Sequence, residues 1–276
     1  MAFNFGGGST QRIAANFPVA RPSTSSVYLT AVWFKPTNLS FTQEAIFSQS
    51  TSSALYIDPS TGTDLLYQNG NMWVTTSGAG LTNNVWYFAA TFITRTSNST
   101  NASMSIWVGT ETSPPVQLAL SAVSGSGLGG STSLTLGNGS GNTNSFSGLI
   151  DSFYSIYAEN SAIANGLNFA SVQTLGTFTQ AEADYTLNNV VIPLWDGRGL
   201  NYSGPNPKDG SLTSISFHQT SFIDLSTRNP IHYFEPSYNA GSNNVVGTIT
   251  GATYSEEKPG KPYRGMSSPF SPNRRR

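Results

Sequence analysis

Residues 132–157, TSLTLGNGSGNTNSFSGLIDSFYSIY, decide the fold class. Leu134 and Leu136 sit at alternate positions ahead of a Gly/Asn/Ser loop from Gly137 to Ser147. A longer segment then leaves through Leu149 and Ile150 and continues with Phe153, Tyr154, Ile156 and Tyr157. Strand, flexible polar turn and strand predict a hairpin in an antiparallel sheet.

Outward from this stretch, the upstream sequence is a succession of short strands. Phe3 to Phe5 and Arg12 to Ala15 flank a glycine turn at Gly6, Gly7 and Gly8. Val27 to Phe34 (VYLTAVWF) is apolar on both faces, which predicts a central strand, and Pro36 ends it. Shorter strands are expected at Ala45–Ser48, Ala54–Ile57 and Leu65–Gln68. Asn69-Gly70, between LLYQ (65–68) and NMWV (71–74), is the strongest two-residue hairpin signal. Val85 to Thr94 and Met104 to Val108 are two more apolar strands. Many short strands with regularly spaced turns predict a sandwich or jelly roll.

The hairpin stretch also resembles the closing signature of laminin-G-like and pentraxin-like domains, within the concanavalin A-like lectin/glucanase superfamily. The residues that carry the likeness are Leu136-Gly137, Phe146, Gly148 and Ile150-Asp151, with a tyrosine beyond. Trp86 and Ala89 fit that family's tryptophan strand, and Met104–Val108 fits the next one without its acidic residue. The resemblance implies an all-β antiparallel sandwich of jelly-roll type. It also implies a short helix after the Ile150-Asp151 strand. Residues 161–175 carry apolar residues near helical spacing, and Thr179 with Glu182 forms a capping box ahead of residues 183–187. Residues 190–255 resemble a block that normally precedes the first long strand, so a permuted sandwich closing beside Phe3–Phe5 over residues 1–255 is expected. Exchange of this block between chains is the alternative closure.

Composition narrows the function. Charged residues make up 10% of the 276 and aromatics 12%, which suits a folded sheet protein with hydroxyl and amide surfaces. Residues 256–276 hold Lys258, Lys261, Arg264, Arg274, Arg275 and Arg276 against Glu256 and Glu257, a balance of +4. With a net charge of -1 overall, residues 1–255 carry -5, and no general nucleic-acid affinity is expected. There is no cysteine, hence no disulfide or thiolate chemistry. The first residues lack the basic and apolar runs of a secretory signal, so cytoplasmic synthesis is expected.

Catalysis finds little support. Glucanases of the superfamily place acidic residues at alternate positions of one strand. The nearest pair here, Glu182 and Asp184, lies in the capping box, and Asp151 stands alone on its strand. No G-x-S-x-G accompanies His218 and His232. Gly125–Gly130 fits G-x-G-x-x-G but precedes a strand rather than a helix, so it is taken as a loop. The chain is therefore expected not to be an enzyme and to have no catalytic residues. No cofactor is expected either. Calcium would have only scattered carboxylates to bind, such as Asp58 and Asp64, which are expected to anchor turns.

Two binding roles remain. Tyr263, Arg264, Met266, Phe270, Arg274, Arg275 and Arg276, on the proline-rich arm 256–276, are candidates for docking to neighbouring subunits. With the general character of the chain, they give the expectation of a virion structural protein of a tailed bacteriophage. It would cement a capsid or build a fibre as a homo-oligomer or capsid-bound subunit, inserting in no membrane. The alternative is a lectin-like adhesin that binds host-surface glycans, with Trp73 and Trp195 as candidate sugar contacts. Trp33, Trp86 and Trp107 are expected in the core.

Overall fold

A computed structural model of the chain describes residues 2–16, 26–49, 53–70, 72–95, 102–113, 115–121, 133–139, 143–158, 214–223, 230–236 and 244–255, with Glu257 and Pro259. These residues form an all-β sandwich with antiparallel strand pairing and no helix among them. The helices expected at 161–175 and 179–187 lie outside the described residues. So do most of the arm 256–276, Trp195, His218 as a side chain and the Gly125–Gly130 motif.

The first layer is built around β3 (Ser26–Pro36), which pairs with β8 (Tyr87–Arg95) on one side and β13 (Ser147–Ala158) on the other. β9 (Ala102–Thr110) and the two-residue β10 (Val116–Gln117) extend it beyond β8. β1 (Ala2–Gly6) pairs with the start of β13, and β17 (Thr253–Ser255) pairs with β1. The second layer runs β7 (Met72–Ser77), β6 (Leu65–Asn69), β5 (Ser53–Ile57), β4 (Glu44–Ser48), β12 (Ser133–Leu136) and β2 (Arg12–Asn16). β16 (Asn244–Thr250) follows β2, then β14 (Ser214–Ile223) and β15 (Pro230–Pro236), and β15 pairs back onto the end of β13. On the opposite side, β11 (Ala119–Leu120) pairs with β7, directly after β10 has paired with β9. Residues 116–120 thus tie the two layers together.

Period-two burial drives the assembly. Phe3 and Phe5 of β1, Ile13 of β2, and Leu134 and Leu136 of β12 point inward, while Asn4, Gly6, Arg12, Ala14, Ser133 and Thr135 between and beside them are exposed or half-buried. Phe34, Tyr87, Ile150 and Phe153 of the first layer share one core with Phe47, Leu55, Leu65 and Tyr67 of the second. Phe47 meets Phe153 across the layers edge-on, with ring centres 5.3 Å apart. Such pairs add about 0.5–1.5 kcal/mol beyond area burial. β3 is central, as its two apolar faces require. Val32 and Phe34 face the core, and Ala31 and Trp33 are fully buried on the other face, Trp33 edge-on to Phe88.

Two sequence expectations need correction. β12 and β13 do not form a hairpin: β12 lies between β2 and β4 in the second layer, and β13 belongs to the first. Gly137–Gly139 leave the second layer and Thr143–Phe146 arrive at the first, the two ends of an arch between the layers. Apolar alternation on both flanks shows that each is a strand, but two strands on facing layers bury the same alternation as two in one ladder. The second correction concerns β8, which starts at Tyr87 rather than Val85 because Val85 and Trp86 belong to the preceding loop. At the β6–β7 hairpin, Asn69 pairs with Met72, so Gly70, at φ 64°, opens the two-residue turn.

The arch has a steric requirement at its first residue. Gly137 has φ 75°, and a β-carbon there would overlap the Phe5 ring. Gly78 is also left-handed, at φ 83°, but has nothing within 4 Å of the same position. Denaturant unfolding should show Gly137→Ala destabilised by about 3 kcal/mol or more, and Gly78→Ala by only about 1 kcal/mol. Equal losses would mean that the Phe5 contact contributes nothing.

Candidate functional site

Four connections meet at one end of the sandwich: 37–43 after β3, 58–64 after β5, 78–86 after β7 and the arch 137–146. They are bound to one another through the backbone. Leu81 N donates to Thr63 O at 2.9 Å, Asn84 N to Pro36 O at 2.7 Å, Thr37 N to Ser147 O at 3.0 Å and Ala45 N to Asn144 O at 2.7 Å. Leu39 N donates to the Asn83 side-chain Oδ1 at 2.7 Å. Asn84 and Asn144 take positive φ, 65° and 62°, which asparagine tolerates better than most residues. The arch is closed on itself by Phe146 N to Gly137 O at 3.0 Å, and anchored to β4 by Gly137 N to Ile46 O at 2.9 Å.

Buried polar side chains complete this web. Glu44 is only 5% exposed. Its Oε1 accepts from Ser40 Oγ at 2.8 Å and its Oε2 from Ser147 N at 3.0 Å, so one carboxylate joins loop 37–43 to the start of β13. Burial raises the Glu44 carboxyl above the usual 4.5, and the bonds from Ser147 and Ser40 oppose that shift. Asn138 is fully buried; its Nδ2 donates to Ser9 O at 2.8 Å and reaches Ser145 Oγ at 3.4 Å.

The carboxylates proposed as turn anchors serve as such. Asp58 Oδ1 accepts from Ser60 N and Ser60 Oγ, both at 2.8 Å. Asp64 Oδ1 accepts from Ala79 N at 2.8 Å and Thr76 Oγ1 at 3.3 Å, tying loop 58–64 to loop 78–86. Asp151 is fully buried on β13, beside the bulge that separates it from Phe153. Among the described residues, no three His, Asp or Glu side chains are grouped so as to hold a metal.

On this rigid end stands Phe41, 75% exposed. A β-carbon on Gly62 would lie 3.3 Å from Ser40 O and 3.7 Å from Phe41 Cδ1, so the tip of loop 58–64 supports the loop that carries the ring. Asn38, Thr42, Thr61, Asn83 and Asn84 are exposed on the same connections, and Val85 is 36% exposed. An aromatic face set among amides and hydroxyls can stack on an apolar surface while hydrogen-bonding its polar rim.

Sequence reasoning passed over Phe41. Its signal was an isolated aromatic within the otherwise polar run TNLSFTQ. The candidate it did choose among described residues, Trp73, stands on the outer face of β7 away from the loop end and is 38% exposed. Trp73 lies opposite Gln68 of β6, whose Oε1 accepts from Tyr56 OH at 3.5 Å. Trp33, Trp86 and Trp107 are buried.

No family model matches the chain, and no curated protein is similar to it in sequence. Several solved structures are similar in shape. A protein of Bacteroides ovatus described as a candidate carbohydrate-binding protein shares 15% identity over 92% of this chain, with a TM-score of 0.42. This chain covers 61% of that protein's length. The heptameric SAP-like pentraxin of Limulus polyphemus shares 13% identity over 56% of this chain and 74% of its own, with a TM-score of 0.36. Domains LG4–5 of the mouse laminin α1 chain share 10% identity over 55% of this chain and 40% of their own, with a TM-score of 0.38.

The Glu44 bridge gives a pH dependence with a definite sign. Its folded-state pKa is raised, so the folded state holds a proton that the unfolded state has released. This contribution to stability is complete below the unfolded value and is lost as pH rises through the folded one. Thermal unfolding followed upward from about pH 4.5 should therefore show a falling component that Glu44→Gln removes. An unchanged slope in the variant would show that Glu44 titrates normally.

Proposed function

We propose that the protein is a carbohydrate-binding, lectin-like module and that the loop end is its sugar-contacting surface. One observation carries this. Phe41 is held out in solvent by a loop whose backbone and serine are tied to neighbouring loops, although burying such a ring would stabilise the fold by about 1.5–3 kcal/mol. An aromatic exposed on an ordered support is suited to stack against the C–H face of a sugar ring. The surrounding amides and hydroxyls match the donors and acceptors of sugar hydroxyls. Because the loops are already tied together, little ordering entropy opposes binding.

In this proposal the chain binds rather than cleaves. The buried carboxylates near the loop end, Glu44 and Asp58, are occupied with loop hydrogen bonds instead of facing a ligand as a general acid and a nucleophile would. The virion-assembly role rests on composition and on the arm residues Tyr263 to Arg276, which lie outside the described residues.

An immobilised glycan array, followed by titration calorimetry on the best ligand, tests the proposal. Phe41→Ala should weaken binding by about tenfold or more, with the unfolding temperature unchanged, while Trp73→Ala leaves affinity intact. If Trp73→Ala abolished binding and Phe41→Ala did not, the site would lie on the β6–β7 face. Failure to bind any glycan would refute the proposal.

A further inference from the structure

The charge pattern around Phe41 narrows the ligand. This inference rests on the glycan-binding function proposed above. Loops 37–43 and 78–86 contain no Asp, Glu, Lys or Arg at all, and neither does the arch 137–146. Loop 58–64 contains only Asp58 and Asp64, whose Oδ1 atoms are used by Ser60 and by Ala79 and Thr76. Glu44, just beyond loop 37–43, is buried and bonded to Ser40 and Ser147. The two cations whose side chains are described are engaged elsewhere. Lys35 is paired with Glu257, and Arg12 has an interaction of its own on β2. Glu111, at the β9–β10 turn, is half-buried and also has a partner.

We infer that the loop end selects neutral glycans and binds them without a bridging cation. A sialic acid carboxylate or a sulfate would lose water at this surface and gain no guanidinium or ammonium from the described residues in return. A calcium ion bridging protein and sugar would need several oxygen ligands, carboxylates among them, and the exposed groups around Phe41 are amides and hydroxyls. The exposed residues Asn38, Thr42, Thr61, Asn83 and Asn84 offer both donors and acceptors, the complement of uncharged hydroxyls.

The test uses the whole chain on an array that pairs neutral oligosaccharides with their sialylated and sulfated counterparts. It is run once in EDTA and once with added calcium. Neutral ligands should bind equally in both buffers, within about twofold, and sialylation or sulfation next to the contacted sugar should weaken binding by about tenfold or more. Binding that disappears in EDTA, or that is confined to acidic glycans, would overturn the inference and leave carbohydrate binding standing. An array with no signal in either buffer would overturn both.

Discussion

Where the chain leaves β12 at Gly137–Gly139 and reaches β13 through Phe146, its backbone has left both hydrogen-bonded ladders while still buried. Buried amides and carbonyls cannot be left without partners there. Described backbone groups meet this constraint through Gly137 N to Ile46 O, Phe146 N to Gly137 O and Ser147 N to Glu44; the Asn138 side chain donates its Nδ2 to Ser9 O, while its buried Oδ1 has no partner among the described residues. Phe5 closes over Gly137, where no larger residue fits. Everything at this end of the sandwich follows from that crossing. Loop 37–43 is tied to the same Glu44 carboxylate, and loops 58–64 and 78–86 are tied to each other and to β3.

The energetic arrangement favours order at the loops over acid–base reactivity. A buried glutamate is costly, and here its two oxygens are spent on holding loop 37–43 and β13 together. Among the described residues, the exposed rim of the loop end is made of amides, hydroxyls and apolar side chains. A neutral rim with one projecting aromatic ring is a surface suited to stacking and hydrogen bonding. Rigidity and the proposed specificity would then have a common source: carboxylates fix the loops, and amides and hydroxyls are left exposed.

The strands were legible in the sequence because burial on one face imposes a period of two, visible in Leu134 and Leu136 or in Leu65, Tyr67 and Asn69. The β6–β7 hairpin was legible because a tight turn needs a residue tolerant of positive φ, which Gly70 is, but its turn lies one residue later than Asn69-Gly70, since Asn69 still pairs with Met72. The pairing of β12 and β13 was not legible. Whether adjacent strands share a ladder or face each other depends on distant partners, here β2 and β4 for one and β3 for the other. The site was harder still. Trp73 attracted attention because tryptophan is large, yet it lies on a sheet face, while Phe41 owes its prominence to loops far apart in sequence that support it.

Amide hydrogen exchange on the arch tests the account most directly, because it reads whether the crossing is as fixed as its hydrogen bonds require. Gly137, Phe146 and Ser147 should exchange as slowly as core amides of β13 such as Ile150. Exchange of these three at the rate of an open surface loop would contradict the account, since neither the rigid support for Phe41 nor the coupling through Glu44 would then exist.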